Sequence, residues 1–529
     1  MSAGILAVFT PTVILLIVGG VILGIIFGAI PGMSATMAVA LCLPLSFGLN
    51  PVAGISLLIG LYIGGISGGL ISAILLKIPG TPSSVATVFD GGPMAAKGQA
   101  GKALGIGIVY SFIGGMLSVL ALIFIAPQIA KVALQFGPYE YFSVTLFALT
   151  MVAALSDENL IKGLLSALIG FGMAMIGVAP IDNVKRFTFD HEMLNNGLAL
   201  LSVMIGLYAI SEVISEAGSR VKISQKDVKS FKMKGFGFTL KEFKNEAVNM
   251  IRSAAIGIGI GIMPGIGGGT SNMVSYAAAK SQAKNKEEYG TGCMGGVVAS
   301  ETANNASVGG ALIPLLTLGI PGDTVTAMLL GGLMIHGIQP GPLLFQTNGQ
   351  MVYSIFAALI IAHIAMLLLE FFGIRVFVRL LSIPKNILLP VIVILCTVGA
   401  FAENNRIFDV YAMVACGILA YVLLKLKFSL PPLILGFILA NITETYFRRG
   451  LSLSRGSVVP FFTRPISLVF ILIAFGSIAW SIYKGIKGMR MAQEGGQQND
   501  VYTKRSFTGN DYTHEKRRRS EYPSSPQVN

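Results

Sequence analysis

Apolar runs of near-membrane length recur along this chain, broken at a few places by Pro-Gly pairs. A helix needs about 20 apolar residues to cross the hydrocarbon core of a bilayer. The first run, 11–30, ends at Pro31-Gly32, and 34–49 continues it as a second half-helix. Residues 51–76 form a glycine-rich span that leads to Pro79-Gly80, and 83–101 is too polar to face lipid. Ordinary spans are predicted at 103–127, 137–155, 160–180 and 196–214. After a polar insert at 216–249, a span from about 250 runs to Pro264-Gly265 and a polar half-helix follows. The segment 291–320 then leads to Pro321-Gly322 and the run 324–336. Later spans are predicted at 351–372, 386–401, 407–424, 430–445 and 465–484.

The pattern occurs twice. Gly24, Gly28, Pro31 and Gly32 return at one constant offset as Gly257, Gly261, Pro264 and Gly265. Ile78-Pro79-Gly80-Thr81 trails the first copy, and Ile320-Pro321-Gly322-Asp323-Thr324 trails the second. Residues 1–215 and 250–485 therefore read as two transmembrane repeats. The fold class is an all-α polytopic integral membrane protein of about 10–12 transmembrane segments, with Pro-Gly-broken helices or re-entrant hairpins.

Composition agrees. Hydrophobic residues make up 53% of the 529 positions and charged residues only 12%, against ~25% charged in soluble domains. The four cysteines lie in apolar or glycine-rich segments without metal-ligand spacing and read as small hydrophobes. The net charge of +13 is concentrated in the loop 216–249 and the tail 486–529, so it reports orientation rather than nucleic-acid binding. Both segments are expected in the cytoplasm, the tail as a disordered one. Leu240, Phe243, Ala247, Met250 and Ile251 have the spacing of a short interfacial helix at the loop's end. The first repeat starts from a segment without Lys or Arg side chains and the second from the basic loop, so the two are expected to be inverted.

A Pro-Gly pair stops a helix, because proline removes a donor and glycine takes up dihedrals that other residues avoid. The half-helix that restarts after it aims free N–H groups and the positive end of its dipole at the gap, where an anion fits. Substrate-binding candidates are therefore Pro31, Gly32, Ser34, Thr36, Pro79, Gly80, Thr81, Ser83, Pro264, Gly265, Gly267, Thr270, Ser271, Pro321, Gly322 and Thr324. Asn304 and Asn305 either bind the ligand or join helices. Asp323 and Glu301 lie in segments that read as buried, and a carboxylate there is a candidate for cation coupling. Glu370 and Glu444 read as interfacial, and His336 and His363 as satisfied packing residues. Trp480, Tyr483 and Lys484 form an interface anchor. No metal set and no phosphate loop is present, and the chain reads as neither an enzyme nor an ATP-driven pump. No cofactor is expected.

The broken segments also resemble a known family. Gly28-Ala29-Ile30-Pro31-Gly32, Ile78-Pro79-Gly80-Thr81-Pro82, Asp90-Gly91-Gly92-Pro93 and Pro264-Gly265-Ile266-Gly267 are similar to the TctA family, the large membrane subunit of tripartite tricarboxylate transporters. So are Ser300-Glu301-Thr302-Ala303-Asn304-Asn305-Ala306, Gly309-Gly310-Ala311-Leu312-Ile313-Pro314 and Leu318-Gly319-Ile320-Pro321-Gly322. The resemblance spans about 10–485 and excludes the tail. It implies a bacterial inner-membrane subunit that works with a small four-helix membrane subunit and a periplasmic substrate-binding protein. It further implies import of citrate-like or other small carboxylates by Na⁺ or H⁺ symport. An elevator-like division is implied too, with 24–100 and 257–340 in the moving transport part and the later spans as scaffold. A passive anion channel with a hydroxyl-lined pore is the alternative. Inversion of the repeats predicts that tags at the N-terminus and within 216–249 report opposite sides of the membrane; tags on the same side exclude it.

Overall fold

A computed structural model of the chain describes residues 2–154, 160–217, 235–380 and 385–483. Met1–Ser477 forms one compact unit and Ile478–Asn529 a second. The predicted tail and residues 218–234 of the basic loop lie outside the described residues.

The first half contains α1 (Ser2–Val8), α2 (Pro11–Ala29), α3 (Ala35–Phe47), α4 (Pro51–Leu75), α5 (Val85–Ala96), α6 (Ala100–Ala133), α7 (Pro138–Ala154) and α8 (Leu160–Ala174). A two-residue antiparallel pair, Gly177–Val178 with Lys185–Arg186, precedes α9 (Leu200–Ile205) and α10 (Ser211–Ala217). The second half contains α11 (Leu240–Asn245), α12 (Ala247–Ile262), α13 (Gly267–Gln282), α14 (Met294–Leu318), α15 (Thr324–Ile335), α16 (Leu344–Thr347) and α17 (Gly349–Leu380). It continues with α18 (Lys385–Asn404), α19 (Ile407–Lys425), α20 (Leu430–Leu453), α21 (Val459–Thr463) and α22 (Pro465–Tyr483). Among the described residues, 8 helices are long and apolar enough to cross a membrane. The pieces next to the breaks (α3, α5, α12, α13, α15) are shorter, as half-helices must be.

Local chemistry sets these boundaries. α2 and α4 each begin with proline, whose missing N–H costs nothing at a first helical position. Thr10 and Asn50 cap them, Asn50 Oδ1 accepting from Ala53 N at 2.9 Å. α2 and α12 stop because Pro31 and Pro264 supply no donor, and Gly32 (φ 84°) and Gly265 (φ 77°) turn the chain left-handed.

Small residues then decide the packing. Gly20, Gly24 and Gly28 of α2 lie directly against the backbone of Leu57, Leu61 and Gly65 on α4. Gly257 and Gly261 of α12 lie in the same way against Ala303 and Ser307 on α14. Side chains at these positions would hold the helices apart, and in lipid close packing is a main source of helix association. The halves also cross: α6 packs along α14, and α17 along α4.

Several expectations change. The span at 160–180 ends at Ala174, and the chain turns into the short strand pair instead. The span at 196–214 is interrupted by a π-helical turn, Gly206–Ile210. The expected interfacial helix near 240–251 is split at Glu246 and runs into α12; Phe243 and Met250 pack on the core while Leu240 and Ile251 stay exposed. Glu370 and Glu444 are not at span ends, since α17 and α20 continue well past them. Glu370 is fully buried, and Glu444 pairs with Arg186 at 2.9 Å and Arg448 at 3.2 Å. In the second unit, Trp480 and Tyr483 are exposed, as an anchor requires.

Gly28→Val is expected to force α2 off α4 and to destabilise the protein by about 1–3 kcal/mol, read as a lower thermal unfolding midpoint in detergent. Gly19, which has open space where a Cβ would stand, tolerates alanine with no loss in the same assay.

Candidate functional site

The four breaks come together around one cavity of about 1000 Å³. Gly32, Ser34, Thr36, Pro79, Gly80, Thr81, Ser83, Gly265, Gly267, Thr270, Asp323 and Thr324 line it. A smaller cavity of about 360 Å³, beside Ala174, Asn195 and Phe437, contains none of the break residues.

Each break restarts as a helix whose N-terminus opens on the large cavity. At α3, Ser34 Oγ accepts from Met37 N at 3.1 Å. Ahead of α5, Thr81 N donates to Ser84 Oγ at 3.2 Å, and the Thr81 and Ser83 hydroxyls are 3.0 Å apart. At α15, Asp323 Oδ1 accepts from Thr326 N at 2.7 Å, and its Oδ2 accepts from the Tyr62 hydroxyl at 2.6 Å. These side chains satisfy amides that a helix start leaves free. α13 differs: it starts with Gly267-Gly268-Gly269 and has no side-chain cap. Gly267, Gly268 and Gly269 all line the cavity.

The helix starts pair across the halves. The Thr36 and Thr324 hydroxyls are 2.9 Å apart, joining α3 to α15. Asn272 on α13 donates to Ser83 O at 2.8 Å and accepts from Ala86 N at 2.9 Å, joining α13 to α5. The second glycine of each half is locked to the first. A Cβ at Gly80 would collide with the Gly28 carbonyl, and one at Gly322 with the Gly261 carbonyl. Gly265 N also donates to Gly322 O at 2.8 Å.

Among the described residues, no lysine, arginine or histidine lines the cavity, whereas Asp323 and Glu212 do. Positive potential at the wall therefore comes from four helix N-termini rather than from cationic side chains. Such a site accepts an anion on backbone amides and hydroxyls while leaving carboxylate and carbonyl oxygens for a cation.

The remaining candidates lie elsewhere. Pro31, Pro264, Pro321 and Gly322 are buried within the breaks. Ser271 bonds to the carbonyls of Gly268 (2.9 Å) and Ala303 (3.2 Å). Asn304 Nδ2 reaches Ile66 O at 3.4 Å, and its Oδ1, unpartnered, lies beneath Gly268. Asn305 donates to Glu301 O at 3.3 Å. Glu301 is fully buried away from the cavity lining and accepts from Thr87 and from Ser111, the latter at 2.9 Å. The two histidines are only half satisfied: His363 Nδ1 meets Leu359 O at 2.7 Å, but Nε2 of His363 and of His336 has no partner.

Sequence reading missed Tyr208, Ser211, Glu212 and Ser429 at the cavity wall. Tyr208 arrives there on the π-helical turn, an irregularity with no signature in the apolar run, and its buried hydroxyl is unpartnered. Asp90 serves as a clamp. Its Oδ1 accepts from the amides of Gly290 (2.9 Å), Gly292 (2.8 Å) and Cys293 (2.7 Å), and Tyr276 donates to Oδ2 at 2.9 Å. This ties α5 to the loop that launches α14.

Comparison with known proteins agrees with these features. Residues 14–435 match the family described as Tripartite tricarboxylate transporter TctA family. An Agrobacterium vitis protein described as an uncharacterized 52.8 kDa protein in the TAR-I ttuC' 3' region is 32% identical over 490 residues, 93% of this chain and 97% of the relative. A second, described as an uncharacterized protein in the TAR-II ttuC' 3' region of the same organism, is 36% identical over 231 residues, 44% of this chain and 96% of the relative. No solved structure matches the chain.

Asp90→Ala leaves three part-buried amides without their acceptor and is expected to cost about 1–3 kcal/mol. Hydrogen–deuterium exchange checks this: the amides of Gly290, Gly292 and Cys293 should exchange much faster than in the wild type.

Proposed function

Because the chain belongs to the TctA family of tripartite tricarboxylate transporters, we propose that it is the membrane permease subunit of a binding-protein-dependent secondary transporter. It imports small carboxylates, tricarboxylates among them, by symport with Na⁺ or H⁺. Its partners are a small four-helix membrane subunit and a periplasmic substrate-binding protein. It resides in the inner membrane with its tail in the cytoplasm.

The observation that carries this reading is the convergence of four helix N-termini on one cavity that, among the described residues, has no cationic side chain. The substrate's carboxylate oxygens accept from the uncapped amides of Gly267, Gly268 and Gly269, with Thr36, Thr81, Ser83, Thr270 and Thr324 adding hydroxyl donors. Broken helices around a central site are a recurrent plan among secondary transporters. The segments 24–100 and 257–340, which hold every break, form the moving transport part, and the later helices form the scaffold. Asp323 and Glu301 are the candidates for cation coupling. The hydroxyl-rich wall also suits a passive anion channel, and energetics separate the two: a symporter concentrates its substrate and a channel only equilibrates it.

In proteoliposomes with both partners, uptake is expected to exceed equilibrium and to collapse when an ionophore removes the Na⁺ or H⁺ gradient; uptake that stops at equilibrium identifies a channel. Thr36→Val and Thr324→Val each remove a neutral donor worth about 1 kcal/mol and are expected to weaken substrate affinity roughly five- to tenfold. Unchanged coupling in Asp323→Asn and Glu301→Gln would remove those two acids from the account.

A further inference from the structure

A second polar site lies in the protein interior, outside the cavity lining. Glu301 on α14 and Glu370 on α17 are both fully buried. Glu301 accepts from Thr87 of α5 and Ser111 of α6, and Glu370 Oε2 accepts from Ser67 of α4 at 2.9 Å. The other oxygen of Glu370 has no partner, and neither does Thr302 Oγ1 or Asn305 Oδ1 in the helical turn that carries Glu301. Neither carboxyl forms an ion pair with Lys or Arg among the described residues.

The surrounding elements supply no compensating charge. α17 places His363 two turns before Glu370 on the same face, against Gly115 of α6. α6 adds Tyr110 beside Ser111, and α4 adds Tyr62, whose hydroxyl is committed to Asp323. α5 adds Asp90, whose carboxylate is committed to the amides before α14, and α13 adds Tyr276, which donates to Asp90. An unpaired carboxylate in such surroundings is costly and takes up a proton instead.

A proton fits better than a metal ion. A hard cation takes a shell of about six oxygens, whereas α14 and α17 run unbroken through Glu301 and Glu370 and keep their carbonyls in helical hydrogen bonds. One proton on Glu370 removes the buried charge and gives its orphaned oxygen a hydrogen.

The same segments reach the cavity. Ile66 lines it and precedes Ser67, the donor to Glu370. Ser83 lines it one turn before Thr87, the donor to Glu301. Movement of either wall on substrate binding changes the hydrogen bonds of the pair.

We propose that Glu370, enclosed with one oxygen unpartnered, binds one proton and forms the coupling site of the transport cycle, an assignment that rests on the symport reading above. The proton is taken up by a carboxylate oxygen on the outer side and leaves from it on the inner side, with no covalent change.

Infrared spectroscopy of the full chain in lipid nanodiscs, with glutamate carboxyls isotopically labelled, tests the site whatever the cavity carries. The C=O stretch of a protonated carboxyl is expected at neutral pH, unchanged when NaCl replaces KCl, and weakened in Glu370→Gln. A band that is unchanged by that substitution, or disappears in NaCl, overturns the assignment. Should that variant not fold, Ser67→Ala serves: it is expected to shift the band by removing a donor to Glu370, and an unshifted band counts against the site. In proteoliposomes with both partners and citrate as probe, Glu370→Gln is expected to keep citrate exchange and to lose accumulation driven by a pH gradient. Accumulation retained in that variant overturns the coupling role. A wild type that shows the band but does not exchange citrate sinks the choice of substrate and leaves the proton site supported.

Discussion

Backbone contact between paired helices is the constraint on which the structure depends. α2 meets α4, and α12 meets α14, at glycines so close that no Cβ fits between them. Lipid tails are as apolar as the helices, so water drives little association inside a membrane, and close packing takes over much of that role. The contact sets more than stability. The carbonyl of Gly28 faces Gly80, and that of Gly261 faces Gly322, so the end of one broken helix defines where the second break of its half must lie. Two breaks per half thus behave as one unit, and the two units close on a common cavity.

The cavity follows from how broken helices settle their free amides. Two of the four helix starts use their own side chains, Ser34 and Asp323 with Thr326, and at the start of α5 the Ala86 amide is accepted by Asn272 of α13. α13 uses none and starts on three glycines. The repeats are therefore alike in plan and unlike in chemistry. One half leaves amides available to a ligand, while its later helix start carries the acid. In the proposed function, anion and cation recognition are distributed over elements that touch through Thr36 with Thr324 and Asn272 with Ser83. A change at one wall is felt at another through these bonds.

Much of this was legible in the chain. The breaks at Pro31, Pro79, Pro264 and Pro321 were visible because proline and glycine act locally, whatever surrounds them. Membrane residence was visible because length and apolarity are properties of a single segment. The hydroxyls beside the breaks marked the cavity wall for the same reason. Other features were illegible. Glu370 read as interfacial, because its depth depends on how far α17 continues past it and on Ser67 reaching it from another helix. Tyr208 was missed because a π-helical turn rotates the face of a helix without altering its apolar pattern. The clamp at Asp90 had no local signature, because one of its oxygens is taken by amides some two hundred positions later.

The sequence by itself determined that this is a polytopic helical protein with two matched halves, each interrupted twice, since all of that follows from the dihedrals of proline and glycine and from runs of apolar side chains. Only the tertiary structure decided that the four interruptions face one another, that α13 starts on three glycines without a side-chain cap, and that Glu301 and Glu370 are both enclosed. Those outcomes depend on which helices cross and at what depth. Crossing is set by side-chain size at contacts between residues far apart in the chain, and such contacts have no periodicity to read.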